Sequence, residues 1–488
     1  MSVQIFLQGK ILGVEGFLAA PAGDTTGVPS GDTLVGRSRW VSLLSEVLPR
    51  ALLAEMGLSK VLLGASGGGQ FLVVLPQEAT PQVDQFLDAA ARQIQQLSGG
   101  RVQLVTAVTE NLGDWSVVRK RLADAMQRKR GTPAVGLTQD EFAPFDHTGD
   151  GEPDGYFTRD MAGALQTAQS IGWSPEEPGK VLVDAGKYTW PLAGSPSADP
   201  ISLARHAAMY DDGRAPADLA TLAARAQGRR NWGVLRGDVD TLGIRLRRIQ
   251  TIEEHIQLAV MYKQFFAGEL ELVCSLPDYW RKVTILYSGG DDFAVFGAWD
   301  ALIPLGREIQ RLFHRFSEEN LQDFPGPEGK TITMAIAIAL DNETDLAPVY
   351  EEAGRMLDLA KSTDKDCIFV LGHTLEWRQM AAASDLRETM LRMAAEVPSP
   401  RRFLADLDAF YRKAAAAGPL GKAGGRRLEK PWQVQRHLTR ALGDSRDKEL
   451  QKLKTHLTNE ILARGATQVK VRPGGRVALE WARLSAEV

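Results

Sequence analysis

The chain is predicted to be an α+β protein built from two copies of one unit, and three observations predict it. Residues 283–296 read as strand, Gly289-Gly290, then strand; residues 232–240 read as a short apolar strand ending in Asp-x-Asp; a weaker copy of both patterns lies within residues 1–135. Two β-prone runs joined by two glycines signal a tight hairpin, because glycine reaches positive φ without steric cost. That hairpin would carry Asp291 and Asp292 at its tip. Adjacent carboxylates on a rigid turn suit hard divalent cations, which prefer oxygen ligands. The same residues also serve as an ordinary solvated turn, so the motif gains meaning only from its neighbours.

Those neighbours follow in order. Trp232 to Asp240 forms the first strand, and because alternate strand residues share a face, Asp238 and Asp240 are expected to point the same way. A helix is predicted from Thr251 to about Leu270, opened by a Thr251/Glu254 capping box, with Ile252, Ile256, Ala259 and Val260 at helical spacing. After the hairpin come a helix from Asp300 to about Glu318, a strand from Thr331 to Leu340, a helix from Leu346 to Lys361 and a strand from Cys367 to Leu371. The order β-α-ββ-α-β-α-β is a ferredoxin-like unit with an extra helix and strand. It sets the first strand beside the hairpin, so that Asp238 faces Asp291 and Asp292 in the manner of a two-metal nucleotidyl-transfer site.

The first copy matches position by position. Ala65-Ser66-Gly67-Gly68-Gly69-Gln70-Phe71 parallels Tyr287-Ser288-Gly289-Gly290-Asp291-Asp292-Phe293, and Gly9-Lys10 stands where Gly237-Asp238 stands. Gly69, Gln70 and Lys10 replace the three carboxylates, so this copy is predicted to fold alike and to hold no metal. A shared strand, hairpin and helix order is a stronger sign of an internal repeat than a recurring glycine turn.

These residues support a resemblance. Residues 232–377 resemble the catalytic palm of the Cas-ten family, the large subunit of type III CRISPR effector complexes, in its Csm (III-A) form. The resemblance is carried by residues 233–243 and 287–293, with Gly297-Ala298-Trp299-Asp300, Ala360-Lys361 and Leu371 to Trp377. The Gly-x-Trp-Asp and the closing Leu-x-Trp favour this family over the GGDEF diguanylate cyclases, whose palm is similar. It implies two palms packed face to face around a nucleotide cleft, with division into a first palm (1–135), a linker (136–225), a second palm (226–377) and a basic helical domain (378–488). It also implies synthesis of cyclic oligoadenylate from ATP on target-RNA binding, with Asp238, Asp291 and Asp292 catalytic. Asp238, Val239, Asp291 and Asp292 would hold Mg²⁺ or Mn²⁺, and Ser288, Gly289, Gly290, Asp240 and Lys361 would contact nucleotide. The implied partners are guide RNA, target RNA and other subunits of the complex. A silent scaffold subunit and a stand-alone nucleotidyl or diguanylate cyclase are the alternatives; the intact carboxylates weigh against the first, and the second palm and basic tail against the second.

Three departures from the family pattern bear on these expectations. Family members usually begin with an HD nuclease domain, but none of His147, His206, His255, His314, His373, His437 and His456 is followed by aspartate, so no DNA cleavage is expected of this chain. The linker often carries a cysteine-ligated zinc, yet no cysteine precedes Cys274, so no zinc is expected; Cys274 and Cys367 read as core thiols. The strand that commonly reads Thr-x-Ser-Ala-Gly-Ile reads Thr333-Met334-Ala335-Ile336-Ala337-Ile338, which leaves adenine selectivity open.

The remaining sequence is less specific. Asp146 to Gly155 is acidic and turn-rich, but Thr148 and Phe157 occupy ligand positions of a calcium loop, so it reads as a solvated turn. Lys187 to Leu192 reads as a strand pairing with the second palm. From Lys422 to Arg476 there are 14 Lys/Arg against 5 Asp/Glu in a chain of net charge −4, so the tail is a candidate phosphate-binding surface. No run is long and apolar enough to span a membrane and the start lacks a signal-peptide pattern, so a cytoplasmic location is expected.

Overall fold

The computed structural model describes residues 3–18, 20, 30–130, 155–193, 200–213, 215–395, 399–416, 462–464, 469–471 and 473–487, with residues 436, 448, 451, 452 and 455. The acidic turn at 146–154 and the basic loop with Lys422, Arg426, Arg427 and Lys430 lie outside the described residues.

The first palm comprises β1 (Gln4–Leu12), α1 (Val14–Leu18), α2 (Ser30–Glu55), the hairpin β2 (Leu63–Gly67) and β3 (Gln70–Pro76), α3 (Thr80–Leu97), β4 (Gln103–Glu110) and α4 (Trp115–Arg130). Its sheet order is β2-β3-β1-β4, the ferredoxin-like arrangement. Helix α3 buries Val83, Phe86, Leu87, Ala90 and Ile94 at helical spacing against this sheet, which is why it forms despite a polar outer face.

The linker contributes a separate three-stranded sheet of β5 (Ser170–Trp173), β6 (Leu182–Val183) and β7 (Tyr188–Pro191), then α5 (Leu219–Ala224). Strand β7 pairs with β5, not with the second palm as the sequence suggested. Ile171, Trp173 and Leu192 join the hydrophobic core of the first palm, and that burial decides the partner.

The second palm runs through β8 (Trp232–Val239), α6 (Leu242–Arg248), α7 (Ile252–Gln264), a π turn at Phe265–Glu269, α8 (Leu270–Cys274), β9 (Val283–Ser288), β10 (Asp292–Ala298), α9 (Trp299–Asn320), β11 (Ile332–Ile338), α10 (Leu346–Thr363), β12 (Cys367–Val370) and β13 (His373–Glu376). Its sheet order is β13-β12-β11-β8-β10-β9, so β9-β10-β8-β11 repeats β2-β3-β1-β4. Register confirms the repeat: Asp238 lies opposite Asp292 as Lys10 lies opposite Gln70. A Cβ on Gly237 would come 2.3 Å from the Phe293 ring, and one on Gly9 2.1 Å from the Phe71 ring. Both palms therefore need glycine at the same place, where an aromatic ring lies across the neighbouring strand.

The Thr251/Glu254 capping box forms as expected and starts α7. Its buried stripe is Leu258 and Tyr262, however, while Val260 is 44 % exposed. Two apolar i, i+4 series run along this helix, and packing against the neighbouring core selected the other one. After the palm, α11 (Trp377–Ala395) and α12 (Pro400–Ala416) lead to a short hairpin, β14 (Leu462–Arg464) with β15 (Val469–Val471), and to α13 (Pro473–Ala486). Trp481 of α13 packs under the Arg387 guanidinium of α11, 4.6 Å from its ring centre. Cys274 and Cys367 are both buried.

Candidate active site

Strand pairing assembles the carboxylates. The β8/β10 register sets Asp238 beside Asp292, and Val239 N donates to Asp291 O at 2.9 Å, fixing the turn to the strand end. Within the turn, Gly289 N donates to Asp292 O at 2.7 Å, and the Tyr287 hydroxyl donates to Asp292 Oδ2 at 3.0 Å. The predicted reason for the glycines needs correction, since neither Gly289 nor Gly290 has positive φ. Gly289 is required for space: a Cβ there would lie 2.1 Å from Asp292 Oδ1. Positive φ occurs instead in the first palm, at Gly67 (124°), Gly68 (58°) and Gly69 (71°).

The carboxylates crowd more negative charge than their lysine neighbours offset. Burial, then the charges of Asp291 and Asp238, push Asp292 up to about 7. Asp291 is raised by burial and by Asp238, against the pull of Lys361 and of Lys10 from the first palm. Asp238 is also raised by burial, but Lys361 Nζ lies 2.6 Å from its Oδ1, and with its side chain 38 % exposed water screens the shift. The same ammonium reaches Val239 O at 3.3 Å. Lys361 thus belongs to the acidic cluster, as a countercharge to Asp238.

Asp240 touches this cluster only at its edge, with Lys361 Nζ 3.9 Å from its Oδ1. Strand β8 ends at Val239, and the Asp240 side chain is 2 % exposed. Thr333 Oγ1 donates to one of its oxygens, and Thr331 Oγ1 and Asp366 N donate to the other. Its carboxylate is consumed in tying β8 to β11 and β12, which speaks against the expected nucleotide contact. Ser288 lines the cleft, but its hydroxyl donates to Phe266 O at 2.6 Å. Ala335 and Ala337 are 0 % and 2 % exposed and line core, so the altered strand does not reach the cleft.

The two glycine hairpins meet tip to tip. A Cβ on Gly68 would lie 2.7 Å from Gly290 N. Beside this contact a cavity of about 270 Å³ opens between the palms, lined by Ser66, Gly67, Gly68, Lys263, Gly289, Gly290 and Asp291 among others. An ion pair crosses it: Lys263 Nζ of the second palm lies 2.6 Å from Glu46 Oε1 of the first, and Ser66 Oγ and Arg50 Nη1 donate to Glu46 Oε2, each at 2.8 Å. Sequence reading missed Tyr287, Lys263 and Lys10 as site residues. Lys10 was findable, since the repeat aligns it with Asp238; nothing in the sequence marks Lys263.

A divalent cation fits this donor set by chemistry. Three clustered carboxylates and the Val239 carbonyl are hard oxygen donors, and the raised Asp292 is a negative charge that a cation would relieve. Among the described residues no three His, Cys, Asp or Glu side chains stand where together they could hold a metal ion, so Asp238, Asp291 and Asp292 would have to draw closer around one. No described helix is long and apolar enough to cross a membrane.

Comparison with known proteins places this architecture. Residues 231–369 match the family model described as Cas10/Cmr2, second palm domain. A Cas10/Csm1 of subtype III-A from Thermococcus onnurineus is 24 % identical over 173 residues, covering 32 % of this chain and 21 % of that protein. The one from Mycobacterium tuberculosis is 31 % identical over 157 residues, covering 28 % and 18 %. The matched segment is therefore about a fifth of either curated relative. Both are named as CRISPR single-strand-specific deoxyribonucleases. Among solved structures, the Csm1–Csm4 subcomplex of a type III-A interference complex is similar over 99 % of this chain and 70 % of that chain, with TM-score 0.69 and 16 % identity. A Csm1–Csm4 cassette in complex with cA4 gives TM-score 0.66 at 15 % identity, over 99 % of this chain and 70 % of that one. Residues 231–369 thus match the second palm domain of Cas10/Cmr2, within a chain that has the fold of Csm1 and is similar in sequence to Cas10/Csm1 proteins of subtype III-A.

Proposed function

We propose that the inter-palm cleft joins ATP molecules into cyclic oligoadenylate, and that the chain does so as the large subunit of a type III CRISPR effector complex that has bound target RNA through its guide RNA. The observation that carries this reading is the convergence of Asp238, Asp291 and Asp292 beside a cleft where two glycine hairpins meet. Structures of the same fold are described in complex with ATP, pppApA, cA3 and cA4, each with Csm4, which supports the substrate, the product class and a Csm4-like partner. Deoxyribonuclease activity is what the names of the relatives state, and the reading proposed here concerns polymerisation.

Asp238, Val239 through its carbonyl, Asp291 and Asp292 would hold Mg²⁺ or Mn²⁺. Such cations lower the pKa of an attacking 3′-hydroxyl and stabilise the leaving pyrophosphate. Lys361 supplies a positive point charge at the same cluster for a phosphate oxygen. Tyr287 orients Asp292 by its hydrogen bond, and Gly290, where an added Cβ would meet nothing within 4 Å, leaves the turn open to phosphate. The Glu46–Lys263 pair holds the first palm's hairpin against the second and so keeps the cleft's width.

The test is the assembled complex with ATP, Mn²⁺ and cognate RNA, products being read by mass spectrometry. Wild type should yield cyclic oligoadenylates; Asp291→Ala with Asp292→Ala should yield none while still assembling and binding RNA. Oligonucleotide synthesis by the double variant at the wild-type rate would disprove the site.

A further inference from the structure

Of the three carboxylates that would have to draw together around a cation, Asp292 is held from behind. Register sets Asp292, Asp238 and Thr333 in one row across β10, β8 and β11. The next row on the same face is Tyr287, Ala294, Arg236 and Ala335, across β9, β10, β8 and β11. Ala294 stands between Tyr287 and Arg236, and its small side chain leaves the larger two free to meet over it. The Arg236 charge acts on the Tyr287 hydroxyl, which the guanidinium is placed to hydrogen-bond. That hydroxyl in turn donates to Asp292 Oδ2 at 3.0 Å.

Helix α10 is shaped to receive the guanidinium. The Arg236 head lies over the Tyr350 ring, 4.3 Å from its centre, and Tyr350 stands edge-on to Tyr287, ring centres 6.2 Å apart at 75°. A Cβ on Gly354 would lie 2.4 Å from Arg236 Nη1, so a larger residue there would move the guanidinium from this seat. The ion pair of Arg236 holds it less firmly: Glu15 of the first palm is 3.6 Å away, with its side chain 83 % exposed. Chemistry fixes the direction of the hydrogen bonds. A guanidinium only donates, so the Tyr287 oxygen accepts from Arg236 and turns its own proton to Asp292. Oδ2 is then occupied, and Oδ1 is the oxygen left for a cation.

The first palm serves as an internal control. Its corresponding row reads Ala65, Leu72, Gln8 and Ala107. Arginine and tyrosine are both gone and leucine fills the gap, yet the sheet forms with the same close approach of Gly9 to the Phe71 ring. The fold therefore needs neither Arg236 nor Tyr287; they accompany the carboxylates. We infer that Arg236 is a positioning residue, which through Tyr287 sets Asp292 to receive the divalent cation. The inference rests on the cation site proposed above.

Mn²⁺ titration of the full chain without ATP, the free ion being read by electron paramagnetic resonance, tests it in a double-mutant cycle. Tyr287→Phe and Arg236→Lys should each weaken Mn²⁺ binding about tenfold. Lysine keeps the charge and loses the planar fork, so the loss reports geometry. In the Tyr287→Phe background Arg236→Lys should cost nothing further, because the path to Asp292 is already cut. Losses that multiply to about a hundredfold overturn the inference, as does unchanged binding in Arg236→Lys. If the lysine variant does not fold, Arg236→Gln serves, since its lost charge acts in both backgrounds and cancels in the cycle. Mn²⁺ binding unchanged by Asp291→Ala with Asp292→Ala removes the cation site and this inference with it. The expected cycle in a protein whose assembled complex makes no oligoadenylate upholds the inference and refutes only the ATP reading.

Discussion

Asp292→Asn should disable the site and stabilise the metal-free protein. Asp292 titrates at about 7 in the folded chain against an ordinary 3.8, because it is buried beside Asp291 and Asp238. A carboxyl with a raised folded pKa favours folding fully only below its unfolded pKa; that contribution is lost as pH rises through about 7. The shift corresponds to at most about 4 kcal/mol by pH 8, and sharing the repulsion with Asp291 brings a realistic figure to roughly 2 kcal/mol. Asparagine removes the charge and keeps an acceptor for the Tyr287 hydroxyl. Thermal unfolding in EDTA should therefore show the variant more stable at pH 8, by about 4–8 °C for a palm-sized domain. The gap should narrow toward pH 5, where the wild-type carboxyl is protonated when folded. Saturating Mn²⁺ should narrow it also, by stabilising wild type alone. A lower melting temperature for the variant at pH 8, or a gap that does not change with pH, would refute the reasoning.

Three further outcomes follow, two from the geometry and one from the sequence of the basic tail. Gly289→Ala should lower turnover by roughly ten- to a hundredfold and cost roughly 1–3 kcal/mol of stability, since the new Cβ meets Asp292 Oδ1 in a half-buried turn; kcat measured with melting temperature checks both halves. Glu46→Gln should cost about 3 kcal/mol in urea unfolding, because it leaves Lys263 and Arg50 facing each other without a countercharge. Alanine at Lys422, Arg426, Arg427 and Lys430 together should weaken RNA association without sequence bias and flatten its log–log salt dependence by about one unit for each phosphate no longer neutralised; an unchanged slope would mark that loop as a solvated face.

What the sequence made legible was backbone order and the carboxylates' neighbourhood. The strand–Gly-Gly–strand pattern and the order of strands and helices specify which residues pair, and pairing alone brings Asp238 to Asp292. The aligned repeat likewise foretold Lys10 opposite Gln70. What escaped was set by three-dimensional packing. Asp238 and Asp240 look equivalent by alternation, but the strand ends between them, and Thr331 and Thr333 claim the second. Glycine at 289 looked like a φ requirement and is a collision requirement. Strand β7 carried no signal of its partner, because a short exposed-and-buried run fits either sheet until Trp173 and Leu192 find a core.

The tip-to-tip contact of Gly68 with Gly290 joins two hairpins of one polypeptide. A cleft formed by two separate palm subunits dissolves on dilution, and its activity per subunit falls with concentration. Here the second half is tethered, so its local concentration is fixed by chain geometry rather than by expression level. Tethering also breaks the symmetry permanently, since Lys10, Gly69 and Gln70 can diverge without altering Asp238, Asp291 and Asp292. A cell holding a few copies would have the same fraction of assembled clefts as one holding thousands, and the control of output would pass from abundance to whatever opens or fills the cleft.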